Sequence, residues 1–157
     1  NNSNGSSLIN NSNLFINNGI INILAFNSFS NSSVGGENDV TITNNGNINI
    51  ALSGTLYNGR ALINNYNGGN INNRGTFTNS EANINNAGGT ITNYSGGIIT
   101  IPSGYVIFNN TGGIINNNSG AIFTNDGTIS NADGSSTCGI GIINGTILGT
   151  IDTSCPT

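Results

Sequence analysis

The sequence predicts an all-β protein built as a parallel β-solenoid of short strands. Three observations carry that prediction. Asn, Ile, Gly, Ser and Thr supply 36, 25, 24, 17 and 16 of the 157 residues. A short phrase with one apolar residue at its centre recurs through most of the chain. Glycines, single or paired, punctuate it about every seven or eight residues.

Composition comes first. The five dominant types are mediocre or poor helix formers. Charged residues make up 5% of the chain, against roughly 25% in ordinary globular domains. Abundant β-branched Ile is the opposite of a disordered composition. The length suits one domain, with room for a small appendage. The chain has no His, which removes Ser-His and Cys-His nucleophile pairs and ordinary zinc sites. Arg60 and Arg74 are its only basic side chains, so no phosphate-binding patch and no nucleic-acid partner are expected. No apolar run approaches the roughly 18 residues that cross a bilayer as a helix. No cofactor or metal is expected.

The absence of Met implies a start after a cleavage, or a fragment, and a removed secretory signal is the simplest explanation. Cys138 and Cys155 have no His and few acids near them in sequence. The pair is therefore expected as a disulfide closing a short loop, which implies an oxidising, extracellular or cell-surface location. Eight Asn-X-Ser/Thr sequons occur, about the number chance gives for this composition. Asn93, Asn109, Asn117 and Asn144 are the candidate glycosylation positions.

The repeat runs from about residue 41 to 134. Gly75-Thr76-Phe77-Thr78-Asn79 recurs as Gly89-Thr90-Ile91-Thr92-Asn93. Looser copies end at Asn109 and Asn125. A second phrase, such as Asn70-Ile71-Asn72-Asn73 or Asn83-Ile84-Asn85-Asn86, falls between them. Strand side chains alternate, so Ile points one way and its flanking Thr residues the other. One buried residue per strand cannot hold a hairpin sandwich together, but stacked coils place Ile on Ile. The expected core stack is Ile63, Ile71, Phe77, Ile84, Ile91, Ile107, Ile115, Phe123 and Ile129. Two residues on, Asn65, Asn79, Asn93, Asn109 and Asn125 are expected to form an amide ladder along the stack. Alternation of the two phrases favours two strands and about 15 residues per coil over a triangular coil of about 22. Residues 62–131 then make nearly five coils, a stack of roughly 22 Å.

The flanks differ. Residues 1–40 carry longer apolar runs, Leu14-Phe15-Ile16 and Ile20 to Phe26, and are expected as a cap or as a strand donated to a neighbour. Asn58-Gly59 and Asn144-Gly145, between apolar runs, read as type I′ hairpins. Residues 135–157 are therefore expected as a C-terminal hairpin stapled by the disulfide.

Other constellations carry less. Asp126 and Asp133 sit seven apart in Gly-adjacent turns, with no basic or aromatic platform beside them to make a glycosidase cleft. A turn calcium site would need more charge. Thr41-Ile42-Thr43, Thr76-Phe77-Thr78 and Thr90-Ile91-Thr92 suggest the threonine face of an ice-binding protein, but the series stops after Thr92. Tyr57, Tyr66, Tyr94 and Tyr105 are scattered and could line a glycan-binding surface.

At Gly-Thr-Ile/Phe-Thr-Asn, repeated with Ile-Asn-Asn, residues 41–134 resemble the Asn/Gly-rich β-solenoid proteins of prokaryotic cell surfaces. These include haemagglutinin-like adhesin repeats and subunits of extracellular filaments or archaeal sheaths. The resemblance implies a secreted surface protein, and the short chain suits a polymer subunit. Physical chemistry points the same way, because solenoid ends expose unpaired strand edges and this chain has no Lys and two Pro to guard them. The expected function is a non-enzymatic structural protein that assembles with copies of itself through β-sheet edges into a filament, sheath or surface layer. A glycan-binding adhesin or tail-fibre fragment is the first alternative, and an ice-binding protein the second.

Overall fold

The computed structural model describes residues 6–10, 13–33, 40–139, 141–149 and 151–152. Every element in it is a strand, and every strand pairing is parallel. The chain winds as a three-sided coil. One side holds β1 (Ser7–Asn10), β4 (Ser28–Ser32), β7 (Thr55–Gly59), β10 (Thr76–Ser80) and β13 (Ile98–Ile101). The second holds β2 (Leu14–Asn17), β5 (Thr41–Asn44), β8 (Leu62–Tyr66), β11 (Ile84–Ala87) and β14 (Val106–Asn110). The long β16 (Ile122–Asn131) and β18 (Ile142–Leu148) run around the corner between these two sides. The third side is a seven-stranded sheet of β3 (Ile20–Ile23), β6 (Asn47–Ile50), β9 (Asn70–Asn73), β12 (Thr90–Asn93), β15 (Ile114–Asn117), β17 (Ser136–Cys138) and β19 (Ile151–Asp152). Seven layers at about 4.8 Å separation make about six turns and a stack of roughly 29 Å.

Each side carries one inward apolar column. Phe29, Leu56, Phe77, Ile99 and Phe123 fill the first. Ile42, Ile63, Ile84, Ile107 and Ile129 fill the second, and Ile48, Ile71, Ile91 and Ile115 the third. All of them are buried, and together they form one core cluster. The nine residues expected as a core stack are therefore shared among three columns.

The coil contains three strands, not two. Successive rungs at one corner lie 21 to 23 residues apart, or 27 between Asn17 and Asn44. The 14-to-16-residue spacing of the phrase steps from one side to another: Phe77, Ile91, Ile107 and Phe123 lie on the first, third, second and first sides. All three sides need the same alternation, so the phrase does not label the side it belongs to.

Neither predicted hairpin forms. Asn58 and Gly59 lie inside β7, which pairs in parallel with β4 and β10. Asn144 and Gly145 lie inside β18, parallel to β16. A type I′ turn needs positive φ at both central residues. Here Gly145 alone is left-handed, at φ 99, and one such residue turns a corner rather than reversing the chain. Going on around the coil also lets Ile143 and Ile147 extend the inward columns over Phe123 and Ile129. Cys138 is buried on β17, while Cys155 lies outside the described residues. The N-terminal segment joins the stack as β1 to β4.

The Gly pairs have two separate causes. At Gly112-Gly113 the first glycine is left-handed, with φ 76, a conformation that costs a side chain more than it costs glycine. The second has no room for a Cβ, which would lie 2.4 Å from Asn109 Oδ1. Gly96-Gly97 repeats this division, with Asn93 Oδ1 2.3 Å from a Cβ at Gly97.

Candidate assembly surface

Two residues beyond each inward apolar side chain the strand reaches a corner, and the residue there again points inward. At most corners it is Asn. A buried primary amide offers two donors and one acceptor oxygen that all need partners. Stacked coils meet that need. At the corner after the second side, Asn17, Asn44, Asn65, Asn86, Asn109 and Asn131 form an unbroken row. Each Nδ2 donates to the next Oδ1 at 2.7–2.8 Å. The spare N–H crosses the corner to a backbone carbonyl of the next coil, as from Asn86 to Ile114 and from Asn109 to Ser136.

The corner after the first side holds Asn10, Asn31, Asn58 and Asn79 in the same relation. Ile101 then interrupts it. Asn125 sits over Ile101 in register, and its buried Oδ1 has no donor. The third corner begins with Ile23 and Ile50 and continues as Asn73, Asn93 and Asn117. The five predicted ladder residues thus lie on three corners: Asn79 and Asn125 on the first, Asn65 and Asn109 on the second, Asn93 on the third. The remaining rungs went unpredicted. The signal for them was the 21-residue step from Asn44 to Asn65 to Asn86.

Among the sequon residues, Asn93 and Asn109 spend both amide hydrogens inside the stack. Asn117 is equally buried, whereas Asn144 is exposed. The three Thr-X-Thr motifs lie on three different sides of the coil, on β5, β10 and β12, so they form no common flat face. Asp126 and Asp133 occupy different corners. No group of three or more potential metal ligands occurs among the described residues. Arg60 and Glu81, at equivalent corners of adjacent coils, form an exposed ion pair. Arg74 stacks over the ring of Tyr94 at 4.0 Å.

No protein family and no curated protein matches the sequence. Among solved structures, the crystal structure of a TibA55-350 fragment hyper-glycosylated by TibC is similar to the chain at 16% identity. The likeness covers 96% of this chain and 74% of that one, with a TM-score of 0.23. No helix of the described residues is long and apolar enough to cross a membrane.

The two ends of the stack differ. At the N-terminal end β1, β2 and β3 are the last strands of their sides, with no described strand beyond them. Four of their outward positions are apolar: Ile9, Leu14, Ile16 and Ile20 stand where the next coil has Ser30, Thr41, Thr43 and Asn47, while Ser7 and Asn22 are polar in both coils. Ile9 is 60% exposed and Ile20 66%. Leu24 and Phe26 are also exposed at the following corner, Phe26 at 72%. The sequence has no charged residue before Glu37.

At the C-terminal end the amide rows meet glycine. Gly139, Gly145 and Gly149 follow Asn117, Asn125 and Asn131 in register, and all three are left-handed. Their backbone passes close to the backbone carbonyls of those Asn residues. A Cβ at Gly145 would lie 1.4 Å from the Asn125 carbonyl oxygen, and one at Gly139 2.3 Å from that of Asn117.

Proposed function

We propose that this protein is a secreted, non-enzymatic structural subunit that associates through its β-sheet edges. The observation that carries the reading is the N-terminal coil, where three strand edges are bordered by outward Ile and Leu side chains. An edge of this kind is a template for another strand, and proteins that stay apart usually guard it with charge or Pro. The nearly uncharged surface and the dry amide rows suit an insoluble extracellular material. A disulfide between Cys138 and Cys155 belongs to the same reading, and thiol titration of unreduced protein tests it. Negative-stain microscopy of the purified chain at neutral pH tests the assembly. End-joined particles, filaments or sheets support it, and separate single particles at every concentration refute it.

A second reading has its own observation. Phe26 donates its backbone N–H to Ser53 O, so exposed Phe26 and Leu52 share one corner of adjacent coils, and Tyr94 with its stacked Arg74 continues that corner. Such a strip suits sugar rings, as an adhesin would require. Glycan binding lost on substituting Tyr94→Ala, with no association of copies, favours it over assembly.

A further inference from the structure

We infer that Asn67 is a self-modification site, where attack by the backbone nitrogen of Gly68 converts the side-chain amide to a carboxylate. This goes beyond the assembly reading and does not depend on it.

The reaction runs best where the next residue has no side chain to block the approach. Six Asn-Gly steps occur in the sequence, and five lie within the described residues. The fold holds four of these five in place. Asn58 is buried in its amide row, with Nδ2 donating to Asn79 Oδ1 and to the Ala61 carbonyl. The Gly19 N–H, which would have to attack Asn18, donates to Asn17 Oδ1 at 3.1 Å. Asn45 donates from Nδ2 to Asn18 Oδ1 and from its backbone N–H to the Asn17 carbonyl. Asn144 and Gly145 lie inside β18 against β16. Asn67 is exposed, and among the described residues its side chain has no hydrogen-bond partner.

Its backbone is released by a mismatch in corner length. Tyr66-Asn67-Gly68-Gly69 is a turn closed by the Gly69 N–H on the Tyr66 carbonyl at 2.7 Å, with Gly68 left-handed at φ 87. The same turn recurs at Tyr94-Ser95-Gly96-Gly97 and Asn110-Thr111-Gly112-Gly113. There the middle peptide is anchored: Gly96 donates to Gly120 O at 3.0 Å and Gly112 to Gly134 O at 2.9 Å. Over Gly68 the next coil turns its corner with one residue fewer, since Asn65 and Asn70 pair with Asn86 and Thr90. Gly88 is set against Asn67 instead, so that a Cβ on it would lie 3.4 Å from Asn67 Cβ. Among the described residues, neither the Asn67 carbonyl nor the Gly68 N–H has a partner. Turn types I and II differ mainly in the orientation of this middle peptide, so it can rotate without moving Tyr66 or Gly69.

The step balances with water alone. The Gly68 nitrogen gives up its proton and bonds to Asn67 Cγ, the Cγ–Nδ2 bond breaks, and Nδ2 leaves as ammonia carrying that proton. Water then opens the cyclic imide. Cleavage at Cγ leaves aspartate, and cleavage at the backbone carbon leaves isoaspartate. Either product adds one negative charge to a formal net charge of −4.

The test is incubation of the folded full chain at mildly alkaline pH, followed by denaturation, trypsin and tandem mass spectrometry. Cleavage after Arg60 and Arg74 isolates residues 61–74, and fragmentation locates each new acid and separates aspartate from isoaspartate. Asn67 is expected to convert first, as a mixture of the two acids. Asn58 reacts only from an opened state and is expected to be at least about 100-fold slower. In concentrated urea the two should converge. Asn67→Ser, which installs the residue of the Ser95 turn, should abolish the early product and leave the far-UV circular dichroism unchanged. Amide hydrogen exchange at Gly68 should outpace that at Gly96 and Gly112. Another described Asn-Gly step converting first, an Asn67 preference that persists in urea, or a Gly68 amide as protected as Gly96 overturns the inference, and none of these results bears on edge association.

Discussion

Asn65 is the rung at which the amide rows can be weighed. It is fully buried. It accepts from Asn44 Nδ2 at 2.8 Å and donates to Asn86 Oδ1 at 2.8 Å and to the Thr90 carbonyl at 3.3 Å. Substituting Asn65→Ala leaves one donor and two acceptors inside the stack without their partner. Each orphaned buried group costs about 1–3 kcal/mol, so the expected loss from the three is roughly 3–9 kcal/mol. That is a large fraction of the ~5–15 kcal/mol that holds a typical domain together. Asn65→Asp sharpens the test. It keeps the shape and the acceptor for Asn44, but turns an oxygen toward Asn86 Oδ1 and Thr90 O. Burial and those two acceptors raise the folded-state pKa of the new carboxyl above its unfolded value of about 3.9. The stability of this variant is then greatest below the unfolded pKa and falls as pH rises through the folded one. Urea unfolding from pH 3 to 8 measures both effects, as a lower midpoint at unchanged slope. A loss under about 1 kcal/mol for Asn65→Ala, or a pH-independent Asn65→Asp, would refute the claim that the rows hold the coils together.

Three further outcomes are expected. Gly89→Ala sets a Cβ 2.4 Å from Asn65 Nδ2 and 2.7 Å from its carbonyl oxygen, so the thermal midpoint falls by an amount equivalent to about 1–3 kcal/mol or more. Ile101→Asn gives the orphaned Asn125 Oδ1 a donor in exchange for an Ile side chain, and the two terms of about 2 kcal/mol nearly cancel. Ile99→Asn, two residues earlier in the same strand and packed between Phe77 and Phe123, gains no such partner and costs upward of about 3 kcal/mol in the same urea titration. Ile91→Lys drives a charge into the core column and is expected to abolish the cooperative unfolding transition altogether.

The class of fold was readable because alternation and glycine spacing are local. Thr76-Phe77-Thr78-Asn79 states its own strand, its inward side chain and its corner without reference to the rest of the chain. The number of sides per coil is a long-range property, and the phrase repeats on all of them. A better ruler was present in the phenylalanines. Phe29, Phe77 and Phe123 share one side and lie 48 and 46 residues apart, two coils each time. Asn144-Gly145 misled because the same dipeptide serves a hairpin or a corner. The choice depends on whether Ile143 and Ile147 find columns to join, which only the assembled stack decides. The tip surface was half legible. The apolar run from Ile20 to Phe26 stood out, but its outward residues became visible only when the register set them against Ser30, Thr41 and Asn47.

The amide rows also have a direction. Among the described residues, every buried Asn-to-Asn bond donates from the earlier coil to the later one. The second N–H, tied to a backbone carbonyl as in Asn86 and Asn93, prevents the group from turning over. On the outside, bonds such as Asn49 to Asn22 and Asn72 to Asn49 run the opposite way, but next to water. An amide dipole is about 3.5 D, and head-to-tail alignment away from solvent adds such dipoles as it does along a helix. Parallel sheets contribute little net moment of their own. A molecule with eight formal charges in all therefore carries an internal electric axis, negative toward its first coil and positive toward its last. An oscillating field should rotate it more strongly than its sparse ionic groups alone would allow.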